Sequence, residues 1–392
     1  MHIAFISTQF VSLSLTGGLG NHLQRVGLSL VAMGHKPTIL MISDKDDDEE
    51  YQGIRLIRIG AKPASVLRRI GAGTLHANAY QSKRFRRALL KLHKRDPIDI
   101  CQYTNYRATA IYREPSIPAV MRISSYRPLW DPLHPKAAKS LRRRYAAYLE
   151  RRSFEKVDAI YAPSRVLAQT ITKDTGFPVK VIEPPFVMDV LDRDESLLKD
   201  VVGVSPFFLF AGSLTRRKGA EAITKAIPHL LSKYPDHLFV FVGKTEETVS
   251  SDTIEEARRA AGNASQRIVH HGPVPHHKLY PFYERADLVL LPSIIDNIAN
   301  TALEAMALGA SVVGTDGGSF EQLIEDGTNG FLCEPGNAQS LLKAVDRGME
   351  MSSSERIALG QRAKKRIEEL APEKTIPQLL DYYRSVVAGY TQ

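Results

Sequence analysis

The feature that most constrains the fold of this 392-residue chain is a repeated alternation of short apolar segments and amphipathic segments. Strand-like segments such as HIAFIS (2–7), IDICQYT (98–104) and DAIYAPS (158–164) are each followed by a helical pattern, and the alternation restarts at PFFLFAGS (206–213) and continues through DLVLLPS (287–293). Such alternation is typical of parallel, doubly wound sheets. Because a chain of this length exceeds one hydrophobic core, we predict an α/β fold with two doubly wound domains in tandem and a cleft between them.

The domain boundaries follow from local composition. A polar segment with one short helical pattern, residues 186–205, separates the two alternating regions and is predicted to be a linker. We therefore predict a first domain over 1–190, a second over 206–372 and a last amphipathic helix over 373–392.

Bulk properties are those of a globular protein of the cytoplasm. Hydrophobic residues make up 43% and charged residues 24% of the chain, as in ordinary soluble domains. No apolar run reaches the ~20 residues that span a bilayer. The N-terminal MHIAFISTQF lacks the basic and apolar regions of an export signal, and the two distant cysteines, Cys101 and Cys333, indicate reduced core residues. We expect a cytoplasmic location.

The net charge of +9 is concentrated in the first half of the chain. Residues 1–200 carry 32 Lys and Arg against 20 Asp and Glu, whereas the remainder carries 20 against 23. Much of the excess lies in two helical patterns at 83–95 and 139–152, with apolar stripes of Phe85, Leu89, Leu90 and Leu92 in the first and Leu141, Tyr145, Tyr148 and Leu149 in the second.

Two interpretations of these basic helices stay open. Either a basic solvent face covers an ordinary core stripe, or the helices make peripheral contact with a membrane surface. No nucleic-acid-binding motif accompanies the charge, so a nucleic acid is not predicted as a partner.

A glycine-rich stretch, TGGLGN (16–21), separates the first predicted strand from the first helix. Gly17 and Gly18 would let backbone N–H groups approach an anion at the helix N-terminus. A plain flexible turn is the alternative. The stretch does not match the G-x-G-x-x-G dinucleotide fingerprint, so neither a nicotinamide nor a flavin cofactor is predicted.

The segment GSLTRRKG (212–219) occupies the matching place in the second domain, between a strand and a helix. Arg216, Arg217 and Lys218 stand immediately before the helix, where the helix dipole disfavours cations. Such local preferences are often broken at functional sites. The pattern therefore predicts a site for a diphosphate, whose negative charge the cations and the helix N-terminus would both stabilise.

The segment DNIANTALEAMALGA (296–310) follows an apolar strand and supplies two carboxylates. Asn297 or Asn300 is predicted to cap the helix and to leave free N–H groups aimed at an anion. Glu304 lies among Ala, Leu and Met side chains, and a charge in apolar surroundings requires a partner. We predict that Glu304 accepts hydrogen bonds from vicinal hydroxyls, while Asp296 faces a different part of the same ligand.

In their order and spacing, these segments resemble the retaining glycosyltransferases of family 4, which have the GT-B fold. The resemblance extends over essentially the whole chain and is carried by GGLGNHL, DAIYAPS, GSLTRRKG, ADLVLLPS and the Asp296-x7-Glu304 pattern that runs into EAMALGASVVG. It implies two Rossmann-like domains facing a central cleft, with the C-terminal helix crossing back to the first domain. It also implies that the second domain binds a nucleotide-sugar donor and the first domain binds an acceptor.

The resemblance implies roles for individual residues. Glu304 matches the carboxylate that holds the nucleotide ribose, and Lys218 matches the lysine on the diphosphate. Asp296 would stand near the donor sugar hydroxyls, and Val274, within GPVP (272–275), lies where the nucleobase is expected. The other implied donor contacts are the backbone of Asn297, Ile298, Ala299, Asn300 and Thr301 toward sugar and phosphate, and Gly17 and Gly18 toward the diphosphate.

Three positions depart from the family pattern. Asp296 replaces the first Glu of Glu-x7-Glu and is one methylene shorter. Ser213 occupies the place of the diphosphate-binding arginine, so Arg217 or Arg216 would supply that charge. Ser124 or Ser125 stands where many members have a histidine, which makes Arg122, Ser124, Ser125 and Arg127 candidates for acceptor or sugar binding. For the two arginines, an ordinary surface or ion-paired role is the alternative.

No cofactor and no metal is predicted beyond a UDP- or GDP-linked sugar as co-substrate. The histidines at 270–271 and 276–277 lack metal-ligand spacing and are interpreted as solvated or structural. The acidic segment DKDDDEE (44–50) is interpreted as a solvated loop. In this hypothesis Lys218 and an arginine neutralise the charge that Mg²⁺ would otherwise neutralise.

We therefore predict a retaining glycosyltransferase that acts on a saccharide or lipid-linked acceptor in the synthesis of cell-surface glycans or glycolipids. Lys218, Arg217 and Asp296 are its predicted catalytic residues. One alternative is a catalytically weak protein that binds a sugar nucleotide without turnover, and another is a different GT-B enzyme such as an epimerase. Peripheral contact with the inner face of the membrane stays open, as stated for the basic helices.

Overall fold

The chain divides into two compact units. The computed structural model describes residues 1–8, 10, 18–60, 73–133, 140–189, 191–244 and 250–390. Unit 1 comprises Met1–Val187 and Leu370–Gln392, and unit 2 comprises Met188–Glu369. Unit 2 thus includes 191–205, a segment that the sequence prediction assigned to neither domain.

Unit 1 is built on one eight-stranded sheet. Its strands are β1 (His2–Ser7), β2 (Lys36–Ser43), β3 (Asp47–Tyr51), β4 (Ile54–Gly60), β5 (Ile100–Thr104), β6 (Ala119–Arg122), β7 (Ala159–Ala162) and β8 (Val179–Val181). They lie in the order β3-β4-β2-β1-β5-β6-β7-β8, and all neighbours pair in parallel except β3 with β4. The strand order reverses at β1, which lies between β2 and β5, and ligands of doubly wound sheets bind at such a point.

Helices cover both faces of this sheet. The helices described before residue 187 are α1 (Gly18–Ala32), α2 (Gly73–Arg95), α3 (Arg127–Trp130), α4 (Leu141–Phe154) and α5 (Arg165–Thr175). Side chains alternate along a strand, so Ile3 and Phe5 of β1 pack in the cluster that contains α1, while Ala4 and Ile6 pack in the cluster that contains α2. This explains why all six residues of β1 are buried and why its sequence is a nearly continuous apolar run.

Unit 2 is built on a six-stranded parallel sheet. Its strands are β9 (Phe207–Ala211), β10 (Leu238–Val242), β11 (Ile268–His271), β12 (Leu288–Leu290), β13 (Val312–Thr315) and β14 (Phe331–Cys333), in the order β11-β10-β9-β12-β13-β14. Its described helices are α6 (Ser196–Val202), α7 (Ala220–Lys233), α8 (Ser250–Ala261), α9 (His276–Arg285), α10 (Asn300–Leu308), α11 (Ala338–Met349) and α12 (Ser353–Glu368). The order reverses between β9 and β12, so the loops that follow these two strands meet at one edge of the sheet.

The last helix, α13 (Pro372–Ala388), belongs to unit 1. Ile376, Leu379 and Tyr383 are buried in the cluster that also contains β1 and α1. The Tyr383 hydroxyl donates to Oε1 of Gln102 at 2.5 Å, which fixes the helix to β5. The apolar stripe of this helix therefore completes the core of the first unit, as the resemblance implied.

Two local segments differ from what their sequences indicate. The acidic segment at 44–50 was predicted to be a loop, but Asp47–Tyr51 forms the antiparallel edge strand β3, because Asp48 pairs with Arg55 at 2.7 Å and Asp47 with Arg58 at 3.2 Å across the hairpin. The segment SFEQLIED (319–326) has a helix-like sequence pattern, but within it only Phe320–Gln322 forms a helical element, one short 3-10 turn.

The two predicted apolar stripes differ in outcome. Phe85, Leu89 and Leu92 of α2 are buried, as an ordinary core stripe requires. In α4, by contrast, Leu141, Tyr145 and Tyr148 are 78%, 45% and 55% exposed, so most of the second stripe does not face the core.

Candidate functional site

Apart from Gly17 and Gly18, the predicted donor residues lie at the carboxyl end of the unit 2 sheet. The loop after β9 carries the basic residues 216–218, and the loop after β12 carries Asp296 and leads into α10. Because β9 and β12 are hydrogen-bonded neighbours, with Leu209 opposite Val289, the two loops leave the sheet side by side. The site is thus assembled where the strand order reverses.

A short 3-10 turn, Arg216–Lys218, positions the basic residues. The side chain of Thr215 caps this turn by accepting a hydrogen bond from the Lys218 backbone N–H at 3.3 Å. Gly219 ends the turn with φ +82°, and a Cβ at this position would lie 2.0 Å from the carbonyl oxygen of Pro292. Only glycine permits both this backbone conformation and this close approach of the β12 loop.

Asp296 is the centre of the basic cluster. Its carboxylate accepts a hydrogen bond from Nζ of Lys218, and Nη1 of Arg217 lies 3.8 Å from Oδ1. The Asn297 backbone N–H donates to Oδ1 at 2.9 Å. Burial by itself raises the pKa of Asp296, but Lys218, Arg217 and the Asn297 N–H outweigh it, and the net pKa lies below its ordinary value. Asp296 is therefore ionised at neutral pH.

The predicted cap of α10 was wrong. The N-cap residue is Ala299, which has no side chain to accept a hydrogen bond, and Asn300 is the first helical residue. Just before it, Ile298 has φ +56°, a conformation that β-branched residues rarely adopt. Strained backbone is often found at ligand sites. The helix N-terminus, which favours anions, thus has no acidic residue in its first turn and no side-chain cap.

The loop after β9 also approaches α10. A Cβ on Gly212 would lie 3.9 Å from Cγ2 of Thr301, in the first turn of that helix. Ser213 follows at the end of β9 and is half-buried. Arg216, by contrast, is exposed and forms an ion pair with Glu221 at 2.9 Å. Of the two arginines proposed to replace the missing diphosphate arginine, Arg217 is the one that reaches Asp296.

Glu304 is buried in the second turn of α10, with 7% of its side chain exposed. Nε2 of His276 lies 3.9 Å from its Oε1. The Tyr283 hydroxyl is buried nearby without a hydrogen-bond partner in the described part of the chain, and burial together with Glu304 raises the pKa of Tyr283 well above its ordinary value. Glu304 thus has polar neighbours, as a charge in apolar surroundings requires.

His276 lies close to Glu304 in the candidate site, a position that the sequence analysis did not identify. It opens α9, directly after the loop that contains Val274, and its ring stacks on Tyr280 at a centroid distance of 5.5 Å. Its Nδ1 lies 3.3 Å from Asp189. The sequence feature that could have identified His276 is its position immediately after GPVP (272–275), where the nucleobase was expected.

The predicted glycine contacts are only partly described. Gly17 lies outside the described residues. Gly18 is the first residue of α1, at the switch point of unit 1. The prediction that these glycines approach a diphosphate therefore stays a prediction.

The four predicted acceptor residues lie at the carboxyl end of β6 in unit 1. Asn105 organises this loop, since it accepts from the Ser124 N–H at 2.9 Å and donates to the Ser125 carbonyl at 2.5 Å. Arg127 forms a bidentate ion pair with Glu150 at 2.9 and 3.0 Å, so its charge is already compensated. Arg122 is buried at the end of the strand.

The described residues contain no group of three or more His, Cys, Asp and Glu side chains arranged to hold a metal ion. None of their helices is both long and apolar enough to cross a membrane.

Comparison with known sequences gives two family matches. Residues 199–366 match the sequence model described as glycosyl transferases group 1, and residues 16–188 match glycosyltransferase family 4. A D-inositol 3-phosphate glycosyltransferase of Paenarthrobacter aurescens is 28% identical over 215 residues, which are 55% of this chain and 51% of that protein. The chain thus matches about half the length of this curated relative.

Comparison with solved structures covers nearly the whole chain. A sucrose-phosphate synthase from Thermosynechococcus elongatus has a TM-score of 0.75 at 18% identity over 99% of both chains. Anabaena HepE in complex with UDP has a TM-score of 0.70 at 16% identity, over 98% of this chain and 100% of that one. At these identities the likeness is one of fold.

Proposed function

Because the chain belongs to the family 4, group 1 glycosyltransferases and has the GT-B fold, we propose that it transfers a sugar from a nucleoside diphosphate sugar to a hydroxyl acceptor. One observation carries this proposal: Lys218, Arg217 and Asp296 converge beside the uncapped N-terminus of α10. Cations and a helix N-terminus are the groups that proteins use to bind a diphosphate.

The donor is proposed to lie along α10. The diphosphate contacts Lys218, Arg217 and the helix N-terminus, and the ribose hydroxyls donate to Glu304. The nucleobase lies toward Val274 and His276, which is close to Glu304. We propose a uridine nucleotide first, since Anabaena HepE was solved with UDP, with a GDP-linked sugar as the alternative.

The reaction is proposed to need no metal. When the bond between the sugar and the diphosphate breaks, negative charge develops on the leaving phosphate. Lys218 and Arg217 stabilise that charge where Mg²⁺ would do so in other enzymes, and one well-placed group of this kind contributes about 3–4 kcal/mol to lowering a barrier.

Asp296 is proposed to bind the transferred sugar and not to move a proton. Its carboxylate is ionised, because Lys218 and Arg217 lower its pKa, so it accepts hydrogen bonds from sugar hydroxyls. The departing phosphate oxygen then takes the proton of the acceptor hydroxyl on the same face of the sugar. Attack and departure on one face retain the anomeric configuration.

A thermal-shift panel of UDP, GDP and ADP and their sugars tests the donor. We expect one nucleotide series to raise the melting temperature, and we expect Lys218→Ala and Glu304→Ala to weaken that response. Transfer and donor hydrolysis are then measured with the sugar nucleotide that binds. Binding without either activity would support the weak-binding alternative, and near-normal turnover in both variants would contradict the site.

The acceptor is proposed to be a saccharide or a lipid-linked saccharide, bound by unit 1 at the cytoplasmic face of a membrane during cell-surface glycan or glycolipid synthesis. Helix α4 supports the membrane contact. Its exposed Leu141, Tyr145 and Tyr148 follow i, i+4, i+7 spacing and therefore share one face. Exposed Arg144, Arg151 and Arg152 fall on the same face by the same spacing. Aromatic and basic side chains together suit the interface of an anionic bilayer.

Vesicle flotation tests this contact. We expect the protein to float with phosphatidylcholine vesicles that contain phosphatidylglycerol, and Tyr145→Ser combined with Tyr148→Ser to reduce flotation. Because both tyrosines are exposed, the fold should tolerate the change. Tyr80→Ser is the matched control, since Tyr80 is an exposed tyrosine of α2. Equal flotation of all three proteins would argue for a small soluble acceptor.

A further inference from the structure

Unit 1 contains a buried guanidinium at the switch edge of its sheet. Arg122 ends β6 and is 8% exposed. It lies on the same face of the sheet as Val120, which packs in the core cluster beneath α1 and α13. Within the described part of the chain, Arg122 forms no ion pair with a carboxylate. Burial lowers its pKa, while Tyr161 and Tyr383 partly offset that effect.

The two tyrosine hydroxyls near Arg122 share one hydrogen-bond acceptor. Tyr161 and Tyr383 both donate to Oε1 of Gln102 at 2.5 Å. These phenols supply no negative charge, because burial raises the pKa of Tyr161 to about 12. A buried cation without an opposite charge is destabilising, so the fold carries a charge that its described residues do not compensate.

His22 neighbours Leu23 and lies one turn before Val26 on α1, two residues that pack in the same cluster as Val120, and its ring has no hydrogen-bond partner in the described part of the chain. The side chain is 9% exposed, and the ring atoms without a partner there are Nδ1 and Nε2. Burial, together with Arg122 and Arg25, lowers the pKa of His22 well below its ordinary value, so the ring is neutral at pH 7. A neutral imidazole offers one N–H donor and one acceptor. Buried polar groups are normally paired.

The N-terminal turns of α1 complete the arrangement. His22 is the fifth residue of this 15-residue helix, whose first turn contains no acidic residue. The positive end of the helix dipole and the first N–H groups favour an anion at this place. The guanidinium, the imidazole N–H and the N-terminal end of the helix dipole therefore all favour an oxygen-bearing anion.

We propose that Arg122, His22 and the N-terminal turns of α1 form an oxyanion subsite that binds a phosphate or carboxylate group carried by the acceptor. The proposal rests on the proposed glycosyl transfer, because it specifies the acceptor of that reaction. Arg122 supplies the charge and two parallel N–H donors, His22 supplies one further N–H, and the N-terminal turns of α1 supply the positive end of the helix dipole. No bond is made or broken at this subsite.

A purely structural role for Arg122 predicts the opposite effect on stability. If Arg122 only supported the Tyr161–Gln102–Tyr383 network, replacing it would lower the melting temperature. If it is an uncompensated charge held for a ligand, replacing it by an apolar side chain of similar length removes a cost, and the melting temperature of the free protein rises. The sign of the change therefore distinguishes the two roles.

Thermal unfolding of the full chain tests this proposal with inorganic phosphate against chloride at equal ionic strength. The titration is run with the nucleotide site filled by UDP and repeated without UDP, so that failure to bind UDP is seen separately. We expect phosphate to raise the melting temperature of the wild type. We expect Arg122→Met and His22→Leu to melt higher than the wild type without ligand and to lose the response to phosphate.

Arg113→Met is the matched control, because Arg113 is a partly buried arginine of unit 1 that pairs with Asp158 at 2.7 Å. It should melt lower and keep the full phosphate response. Lower melting of Arg122→Met and His22→Leu with an unchanged phosphate response would overturn the proposal. So would a wild type that responds equally to phosphate and chloride.

Two probes distinguish whether the bound oxyanion belongs to a soluble molecule or to a lipid headgroup. Glucose 6-phosphate, compared with glucose, tests a soluble phosphorylated acceptor. Phosphatidylcholine vesicles with phosphatidic acid, compared with vesicles lacking it, test a lipid headgroup. Loss of either phosphate-dependent response in Arg122→Met supports the subsite and identifies its source, whereas retention of both responses in this variant overturns it.

Discussion

The ion pair between Lys218 and Asp296 gives the sharpest prediction. The two side chains are 18% and 11% exposed, so the pair is largely removed from water. Breaking such a pair from one side costs about 3–5 kcal/mol. Arg217 at 3.8 Å and the Asn297 N–H remain with Asp296 after Lys218→Met, which favours the lower end of that range. For a unit of this size, about 3 kcal/mol corresponds to a decrease of roughly 6–12 °C in melting temperature.

A double-mutant cycle separates stability from nucleotide binding. Lys218→Met with Asp296→Asn leaves no buried charge unpaired, so its stability should return to within about 1 kcal/mol of the wild type, with a coupling energy of about 2 kcal/mol. Nucleoside diphosphate binding should not return, because one charged hydrogen bond of about 1.5–3 kcal/mol is missing, which is roughly 10- to 100-fold in Kd. Asp296→Asn alone should bind the nucleotide at least as tightly as the wild type, since Lys218 is then released from its carboxylate.

The assays are denaturant unfolding of the full chain and calorimetric titration with the nucleotide that the panel selects. Lys225→Met is the control, because Lys225 is an exposed lysine of α7 and its loss should change stability by less than about 0.5 kcal/mol. A coupling energy near zero, or wild-type affinity in the double variant, would refute this account of Lys218.

Three further predictions concern single residues. Gly219→Ala should destabilise unit 2 by about 2–5 kcal/mol in denaturant unfolding, because φ +82° is strained for alanine and its Cβ would meet the Pro292 carbonyl; unchanged stability would contradict the turn geometry. His276→Ala should weaken nucleotide binding about 2- to 10-fold in calorimetry, and Glu304→Ala with His276→Ala should be no weaker than Glu304→Ala alone; additive losses would show that the two residues act separately. Burial lowers the pKa of His22, so the unfolded chain gains a proton as the pH falls below about 6.5 while the folded chain does not. Stability should therefore decrease with falling pH in this range, and His22→Leu should show a smaller decrease; an equal decrease would place the titration elsewhere.

The fold was predictable because its signals are periodic. Each buried parallel strand is a short apolar run between helical patterns, as in HIAFIS at 2–7, and sheet topology then places their carboxyl ends together. Edge elements were less predictable. Acidic residues such as those of β3 would be exposed to solvent in a loop or in an edge strand, so their sequence does not distinguish the two structures. The ion pairs with the arginines of β4 indicate the strand.

The candidate donor site could be predicted as a set of segments but not as a set of contacts. The spacing of Lys218, Asp296 and Glu304 carried the signal. Arg216 pairs with Glu221, whereas Arg217 reaches Asp296. This difference depends on the conformation of one short turn, which the periodicity of a sequence does not specify. His276 was missed because a histidine at a helix start is unremarkable until the fold brings it to Glu304.

In unit 1, burial and ion pairing distinguish two of the residues predicted to bind an acceptor. Arg122 and Arg127 look alike in sequence, as two basic residues close to the end of β6. The structure pairs Arg127 with Glu150 on a neighbouring helix and leaves Arg122 buried at the end of β6. The sequence pattern shows neither the ion pair of Arg127 nor the burial of Arg122, because both depend on tertiary packing.

The most direct test of the donor site compares a nucleoside diphosphate with its 2′,3′-dideoxy analogue by calorimetric titration into wild type and Glu304→Gln. If Glu304 holds the ribose hydroxyls, the analogue should bind the wild type about 10- to 100-fold more weakly, and the two nucleotides should bind Glu304→Gln with nearly equal affinity. An equal loss in both proteins, or no binding of any nucleoside diphosphate to the wild type, would contradict the proposal that unit 2 binds a nucleotide sugar through Glu304.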